Sequence, residues 1–251
     1  MDSVVGASPR RLARMAGALY LVNILCGAFA IGFVPATLFA SDPATTAANI
    51  EAHQLLYRSG LAAHVVVTVT NVPLALIFYE LFKVVNQRVA LLTAFFVLVA
   101  TAIEAAGLLN EFTPLALLGN ATDTAAVPAA QVQALVSLSG HLSDFHYTVY
   151  TVFFGLDILC LSYLVFWSGL LPRAIAVLLA VDGLAYLVYS FTDFLAPNAA
   201  VYLTPWLQLP APVAEGAFAL WLLVFGVNLE RWTKRSDQAN RMKVGQVEAL
   251  Q

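Results

Sequence analysis

The amino-acid sequence predicts an all-α protein, a polytopic transmembrane bundle of about six helices with both termini in the cytoplasm. The first observation is composition: 61% of the residues are hydrophobic and only 11% are charged, and the mean hydropathy is +0.81. A soluble globular chain is closer to half apolar and a quarter charged. The other two observations are six long apolar stretches and an uneven distribution of basic residues. Together they favour a chain whose main partner is the lipid bilayer, and no nucleic-acid binding is expected.

Each predicted span is an apolar stretch close to the roughly 20 residues that a helix needs to cross a bilayer. The six spans are Met15 to Phe39, Ser59 to Tyr79, Val89 to Asn110, about His141 to Trp167, Ala174 to Leu195, and Val213 to Leu229. The fourth lies in a longer apolar run, whose first part is predicted to be an approach helix on the outer side. The arginines before the first span resemble a signal peptide, but the apolar run after them is too long for one. We therefore expect an uncleaved first span.

Basic residues predict the orientation, because they are enriched in the cytoplasmic loops of membrane proteins. With the N-terminus inside, the only basic residue on the outer side is Arg58. The cytoplasmic set is Arg10, Arg11, Arg14, Lys83, Arg88, Arg173, Arg231, Lys234, Arg235, Arg241 and Lys243. This predicts a multi-pass protein of the cell inner or plasma membrane. Its parts are a cytoplasmic segment at 1–11, a transmembrane domain at 12–229 and a cytoplasmic polar tail at 230–251, partly disordered or bound to a surface.

The outer side is predicted to carry short helices. Ser41, Asp42 and Pro43 form a typical helix start, with a capping side chain followed by proline in the first turn. A similar start is expected between Thr124 and Pro128. Four prolines are predicted to break the last outer loop: Pro197, Pro205, Pro210 and Pro212.

An ordered set of short stretches, spread over most of the chain, resembles a known family. The stretches are Ala13-Arg14-Met15-Ala16-Gly17, Leu19-Tyr20-Leu21, Ala47-Ala48-Asn49-Ile50, Leu56-Tyr57-Arg58, Gly60, Val84-Val85-Asn86, Phe153-Phe154-Gly155, Ser168-Gly169, Leu171-Pro172-Arg173, Gly183, Tyr186-Leu187, Glu215, Leu220-Trp221-Leu222-Leu223 and Gly226-Val227-Asn228. In these the chain resembles a bacterial multi-pass membrane family known only as domain of unknown function 4386, over roughly residues 11–228. The resemblance implies an integral membrane protein and transfers no activity.

Ionisable residues inside the spans indicate where a function lies. A charged side chain in the middle of a span costs about 2.5–3.5 kcal/mol on insertion scales, so such residues face the bundle interior or water and usually have a role. In the fifth span Asp182, Tyr186, Tyr189 and Asp193 follow one another at steps of four, three and four residues. That spacing places them on one face of a helix.

The second, third and fourth spans carry similar groups. His64 begins a polar stripe that continues through Thr68 and Asn71, and Glu104 shares a helix face with Glu111. In the fourth span His141 and Asp144 share one face, whereas His146 aligns with Tyr150 and Asp157 on another. The predicted polar pocket, open to the outer side, consists of His64, Glu104, His141, Asp144, His146, Asp157, Asp182, Tyr186, Tyr189, Asp193 and Glu215.

Several chemical interpretations of this pocket stay open. His141, Asp144 and His146, or a histidine from another helix, could bind a divalent metal, because imidazole and carboxylate suit zinc or iron. However, no HExxH pattern or other recognisable ligand spacing is present. The carboxylates could instead relay protons or hold a cation. They could also form hydrogen bonds that only fix helix packing, or line a site for an organic molecule or lipid.

Three hypotheses about function follow. The first is binding or transport of a small molecule or cation through an outward-facing polar pocket. The second is metal-assisted hydrolysis within the membrane, in which a metal ion would activate a water molecule. The third is a regulatory or accessory subunit whose basic tail contacts a partner or anionic lipid. The sequence leaves open the ligand, any cofactor, any catalytic residue and the oligomeric state.

Overall fold

The chain is a bundle of α-helices in the computed structural model, which describes residues 8–119 and 127–248. The helices are α1 (Pro9–Gly27), α2 (Val34–Leu38), α3 (Pro43–Ala52), α4 (Gln54–Phe82), α5 (Gln87–Glu111), α6 (Thr113–Gly119), α7 (Ala129–Ser168), α8 (Arg173–Leu195), α9 (Pro197–Leu207), α10 (Pro210–Val224) and α11 (Leu229–Glu248). A π-helical segment, Ala28–Phe33, joins α1 to α2 without a break.

Six helical stretches of the described residues are long and apolar enough to cross a membrane. They are Pro9–Leu38, Gln54–Phe82, Gln87–Gly119, Ala129–Ser168, Arg173–Leu195 and Pro197–Val224. Large apolar side chains lie on their outer surface; Leu25, for example, is 69% exposed and Val69 is 61% exposed. Such a surface suits lipid rather than water. The prediction of an all-α multi-pass membrane bundle is therefore confirmed.

The bundle begins and ends at the same side, as six crossings require. At this side the Arg14 guanidinium donates to the Val224 carbonyl oxygen at 3.2 Å, and the Trp232 indole donates to the Leu81 carbonyl oxygen at 3.1 Å. Arg231 similarly donates to the carbonyl oxygen of Gly169 at 3.0 Å. We call this side the basic end and the opposite side the far end. That the basic end faces the cytoplasm stays a prediction.

Local signals in the sequence set the helix boundaries. Asp42 caps α3 by accepting hydrogen bonds from the Thr45 backbone at 2.8 Å and the Thr45 hydroxyl at 2.6 Å, and these bonds lower the pKa of its carboxyl group. The predicted short helix after Pro43 is therefore present. Helix α7 ends at Gly169, with φ of 65°, and Gly226 follows α10 with φ of 70°. Glycine suits both positions because side chains rarely adopt this left-handed conformation.

A small hydrophobic cluster covers the far end of the bundle. It joins α2, α3, α4 and α7 through Leu38, Ile50, Tyr57, Leu61 and Val136, all of which are buried. The same cluster also contacts the far end of α5, because the Tyr57 hydroxyl donates to the Glu111 carbonyl oxygen at 2.7 Å. Short helices over one end of the bundle were predicted, and α3 confirms the one expected after Pro43. Helix α6, Thr113–Gly119, was not predicted.

Four local expectations differ from the structure or fall partly outside the described residues. The sixth span ends at Val224 rather than Leu229, because Gly226 turns the chain. The last loop at the far end is helical: Pro197 and Pro210 occupy the first turns of α9 and α10, where a missing backbone N–H costs nothing. The polar tail forms helix α11 up to residue 248. A helix start was expected between Thr124 and Pro128; residues 120–126 are outside the described part, and α7 begins at Ala129, directly after Pro128.

The half of the bundle near the basic end is packed with apolar side chains. Leu81, Phe82, Ala90, Leu164 and Val165 come from three helices and are each 2% exposed or less. We call this set the apolar block. It lies between the basic end and the buried polar groups described next.

Candidate functional site

Buried ionisable groups lie in the interior without lysine or arginine partners. Of the side chains whose surroundings the structure describes, no lysine or arginine is buried, whereas five histidine, aspartate and glutamate residues are at most 7% exposed: His64, Glu104, Asp157, Asp182 and Glu215. An unneutralised charge in such a place is costly. The carboxyl groups must therefore be balanced by protons, by hydrogen-bond donors or by bound cations.

The first group of polar residues lies near the middle of the membrane. Tyr20, Asp157, Asp182 and Glu215 come from four different helices, α1, α7, α8 and α10. Each is about 14–16 Å along its helix from the basic end at 1.5 Å per residue, which is about half of the hydrocarbon thickness. We call these four residues the middle layer.

Glu215 is the best-satisfied carboxylate of the middle layer. Its two oxygen atoms accept hydrogen bonds from the Tyr20 hydroxyl at 2.7 Å and the Tyr186 hydroxyl at 3.0 Å. Both tyrosines are themselves buried. The interaction ties α1, α8 and α10 together, and hydrogen bonds to a charged group are among the stronger ones in proteins.

Asp157 and Asp182 are less completely satisfied. Oδ1 of Asp157 and Oδ2 of Asp182 are buried and have no hydrogen-bond partner among the described residues. Asp182 lies one turn before Tyr186 on α8, as the sequence pattern predicted, and it is only 1% exposed. Buried polar atoms without partners are rare in proteins, so these two oxygen atoms mark places where a proton or a small polar ligand would be favourable.

The second group lies between the middle layer and the far end. His64 on α4 stands between two glutamates of α5, with Nε2 at 3.3 Å from Glu104 Oε1 and Nδ1 at 3.0 Å from Glu111 Oε2. We call these three residues the carboxylate–histidine bridge. The spacing of the two glutamates predicted that they share a face, and His64 spans the distance between them.

The bridge has a definite requirement for protons. An ionised carboxylate can only accept a hydrogen bond, so each ring nitrogen of His64 must either donate a proton or receive one from its glutamate. Two protons are therefore needed in the two contacts. Either His64 is an imidazolium ion between two carboxylates, or it is neutral and one glutamate is protonated. The two arrangements have the same net charge, which allows a proton to shift within the bridge without moving charge into the bundle from outside.

Two asparagines extend the bridge towards the middle layer. The Asn71 amide donates to Glu104 Oε2 at 3.3 Å, and the Asn23 amide donates to Asn71 Oδ1 at 2.9 Å. Asn23 also donates to the Thr70 hydroxyl at 2.9 Å. These contacts join α1, α4 and α5, and they orient the Glu104 carboxylate.

His146 covers the bridge from α7. Its ring packs directly on Gly107, which lies between Glu104 and Glu111 on the same face of α5. A Cβ atom at position 107 would fall within the van der Waals radius of the His146 ring. The absence of a side chain at Gly107 therefore lets the second histidine approach the bridge. Its Nδ1 atom is buried without a partner among the described residues.

We expect Gly107→Ala to displace His146 and to destabilise the bundle by about 1–3 kcal/mol, the usual cost of overpacking a core. Thermal unfolding of the detergent-solubilised variant would show this as a lower midpoint than for the unsubstituted protein. The double variant with His146→Ala should recover part of the loss, because the alanine Cβ would then have space. Equal midpoints for Gly107→Ala and the unsubstituted protein would contradict the prediction.

The remaining residues of the predicted pocket lie elsewhere. Asp193 is half-buried and accepts a hydrogen bond from the Thr148 hydroxyl at 2.8 Å. The Tyr189 ring packs against Tyr147, with centroids 6.0 Å apart. His141 and Asp144 are exposed. The reason is the length of α7: at 1.5 Å per residue, His141 is about 40 Å from the basic end, beyond a hydrocarbon core of roughly 30 Å.

The geometry offers no preformed ligand set for a metal ion. Among the residues that the structure describes, no three of the His, Cys, Asp and Glu side chains are arranged to hold one. In the carboxylate–histidine bridge the glutamates lie on opposite edges of the imidazole ring, so the three side chains do not converge on one point. The metal hypothesis stays a prediction, with His141, Asp144 and His146 as its candidate ligands.

The sequence interpretation missed three residues that take part in these contacts: Tyr20, Asn23 and Glu111. The first two had a signal, because they are among the few polar side chains of an otherwise apolar first span and lie three residues apart. Glu111 was predicted to share a helix face with Glu104, but its position at the end of the span did not indicate that it contacts His64.

Two cavities complete the description. The first is an open groove of about 560 Å³ at the basic end, lined by Arg10, Arg231, Trp221 and the turns after α7 and α10. The second is internal, has a volume of about 20 Å³ and is bordered by Tyr20, Asn71, Thr93 and Asp157 together with apolar side chains. The internal cavity therefore lies where the middle layer meets the asparagines.

Comparison with known proteins gives one match. No curated protein and no solved structure matches this chain. One family model does match, over residues 15–226. This range includes the middle layer, both asparagines and the carboxylate–histidine bridge, so the contacts among these buried polar residues lie within it. The chain belongs to the family described as Domain of unknown function (DUF4386).

Proposed function

We propose that this membrane protein binds a small cation, the proton, on its buried carboxyl groups and moves it across the bilayer. The observation that carries the proposal is the carboxylate–histidine bridge. His64 is held by a glutamate at each ring nitrogen, and this arrangement can exchange a proton between its members. Ionisable residues within membrane bundles commonly form proton relays.

The charge balance supports a proton rather than an organic cation. The buried carboxyl groups have no lysine or arginine beside them in the described interior, and the internal cavity of about 20 Å³ has the size of a water molecule. An organic molecule would need a pocket of roughly 300 Å³ or more. The groove at the basic end is large enough, but it does not contain the buried ionisable groups.

The orientation follows from the positive-inside rule and is part of the proposal. Both termini and nearly all basic residues would lie in the cytoplasm, in the inner or plasma membrane of a bacterial cell. The far end would then face outward, and the carboxylate–histidine bridge would receive protons from that side. The bridge is nearer to the far end than the middle layer is, so it would be the first group to exchange a proton.

The test is proton flux into liposomes that contain the purified protein and a pH-sensitive dye. After an external acid jump, we expect faster internal acidification than in protein-free liposomes. Glu104→Gln should reduce the rate to that of protein-free liposomes, because glutamine has nearly the same shape but cannot carry a proton. Glu51→Gln is the matched control, since Glu51 is an exposed glutamate outside the contacts described here; it should leave the rate unchanged.

Two results would overturn the proposal. One is a rate for the unsubstituted protein equal to that of protein-free liposomes, measured with a pH gradient in each direction. The other is equal flux in the Glu104→Gln and Glu51→Gln variants. Circular dichroism and size-exclusion chromatography of each variant establish that its helices and its particle size are unchanged before flux is measured.

A further inference from the structure

The internal cavity lies between the two groups of buried polar residues. Its polar borders come from four helices: Tyr20 from α1, Asn71 from α4, Thr93 from α5 and Asp157 from α7. Tyr20 and Asp157 belong to the middle layer. The Asn71 amide donates a hydrogen bond at 3.3 Å to Glu104 of the carboxylate–histidine bridge. The cavity is therefore positioned to connect the two groups.

Two of the bordering side chains lack hydrogen-bond partners. Asp157 Oδ1 and Thr93 Oγ1 are buried and have no partner among the described residues, and the two residues are only 5% and 4% exposed. A buried polar group without a hydrogen-bond partner is destabilising. Both residues border the same cavity, so one small ligand could satisfy both atoms.

The size and lining of the cavity decide which ligand fits. A water molecule needs at least about 10–15 Å³ and two to four polar partners, and the cavity has about 20 Å³ with four polar residues around it. A hard metal cation with six or more oxygen ligands would need more oxygen atoms than these side chains present. The rest of the lining is apolar and includes Leu74, Phe78 and Val97.

We propose that the cavity binds one water molecule, hydrogen-bonded to Asp157 and Thr93 and reaching Asn71, that links the middle layer to the carboxylate–histidine bridge. The water satisfies the two unpartnered oxygen atoms. Through the Asn71 amide it makes the hydrogen bond to Glu104 sensitive to the state of Asp157. The effect of Asp157 on Glu104 rests on the proposed function. The water site itself is inferred from the cavity and from the two buried oxygen atoms without partners.

Infrared difference spectroscopy tests the water site directly. We expect an O–H stretching band from an internal water that moves when the sample is exchanged into H₂¹⁸O. Thr93→Val has nearly the same shape without the hydroxyl, so the band should be lost or displaced. Thr101→Val is the control: Thr101 is also buried on α5, but its hydroxyl donates to the Val97 carbonyl oxygen of its own helix at 2.7 Å. This variant should keep the band.

A second measurement tests whether the water connects Asp157 to Glu104, which the O–H band by itself does not show. The carboxyl band of Glu104, identified by its loss in Glu104→Gln, should shift in Asp157→Asn but not when Asp157→Asn is combined with Thr93→Val. Thr93→Ser retains the hydroxyl and should behave like the unsubstituted protein, which provides a test even if Thr93→Val does not fold.

The outcomes distinguish this inference from the proposed function. If no ¹⁸O-sensitive band depends on Thr93, the water site is overturned, even where liposomes show proton flux that depends on Glu104. If the band is present and depends on Thr93 but liposomes show no flux, the water site stands and the proposed function fails. If the Glu104 band shifts equally with and without the Thr93 hydroxyl, the proposed link is overturned.

Discussion

Alanine at position 17 should strongly destabilise the bundle. Helices α1 and α10 are in close contact at Gly17, where a Cβ atom would lie 2.7 Å from the Ala219 carbonyl oxygen and 2.8 Å from Leu223 Cα. These are backbone atoms of α10, so no side chain can turn aside to make room and the two helices would have to separate. We expect Gly17→Ala to cost about 3 kcal/mol, the upper part of the usual range for overpacking.

Thermal unfolding in detergent, followed by circular dichroism, measures this effect. Gly216→Ala is the control, because a Cβ atom there has no other atom within 4 Å. That substitution should raise stability slightly, since alanine favours a helix over glycine by about 1 kcal/mol. Equal unfolding midpoints for the two variants would show that α1 and α10 are not packed as described.

Removing both tyrosine hydroxyls that contact Glu215 should be comparably damaging. In the double variant Tyr20→Phe with Tyr186→Phe, the Glu215 carboxylate keeps its burial but loses both donors. Leaving a buried hydrogen-bonding group without its donors costs about 1–3 kcal/mol, and more where the group is charged. The expected result is a large fall in the unfolding midpoint, with Tyr163→Phe as a nearly neutral control because Tyr163 is 45% exposed.

A third substitution tests whether the lost stability comes from the unsatisfied Glu215 carboxylate. Adding Glu215→Leu to the double variant removes the unsatisfied carboxylate and leaves an apolar cluster of similar volume, so stability should rise again. A triple variant less stable than the double variant would contradict the interpretation, because it would mean that Glu215 stabilises the bundle without its tyrosine donors.

The sequence predicts the fold well because the membrane imposes a simple rule. Each span must be long, apolar and helical to satisfy its backbone groups in lipid, and the six apolar stretches meet this requirement. The helix before Gln54 was also predictable, because Asp42 and Pro43 are local signals. By contrast, the helix boundary at Val224 depends on Gly226, and apolar residues on both sides of that glycine conceal the turn.

The contacts of the candidate site were only partly predictable for a physical reason. Periodicity shows which residues share a helix face, and it correctly grouped Asp182 with Tyr186 and Glu104 with Glu111. It does not show which helices are neighbours. The hydrogen bond between Tyr20 and Glu215 joins residues 195 positions apart, and no local pattern encodes that pairing. The part of α7 beyond the bilayer was expected as an approach helix, but the sequence did not show where it meets the membrane part, because its outer part is as apolar as the rest.

The apolar block has a consequence for a cell that depends on its membrane potential. Leu81, Phe82 and Val165 are completely buried and stand between the middle layer and the basic end. In this conformation the block closes the path between the middle layer and the basic end, so a copy at rest would not discharge the electrical gradient. A proton can cross the whole bundle only if the helices around the apolar block move apart. Collective helix movements of this kind take microseconds to milliseconds. Turnover would then be set by the frequency of that opening, not by how fast protons hop among the buried groups.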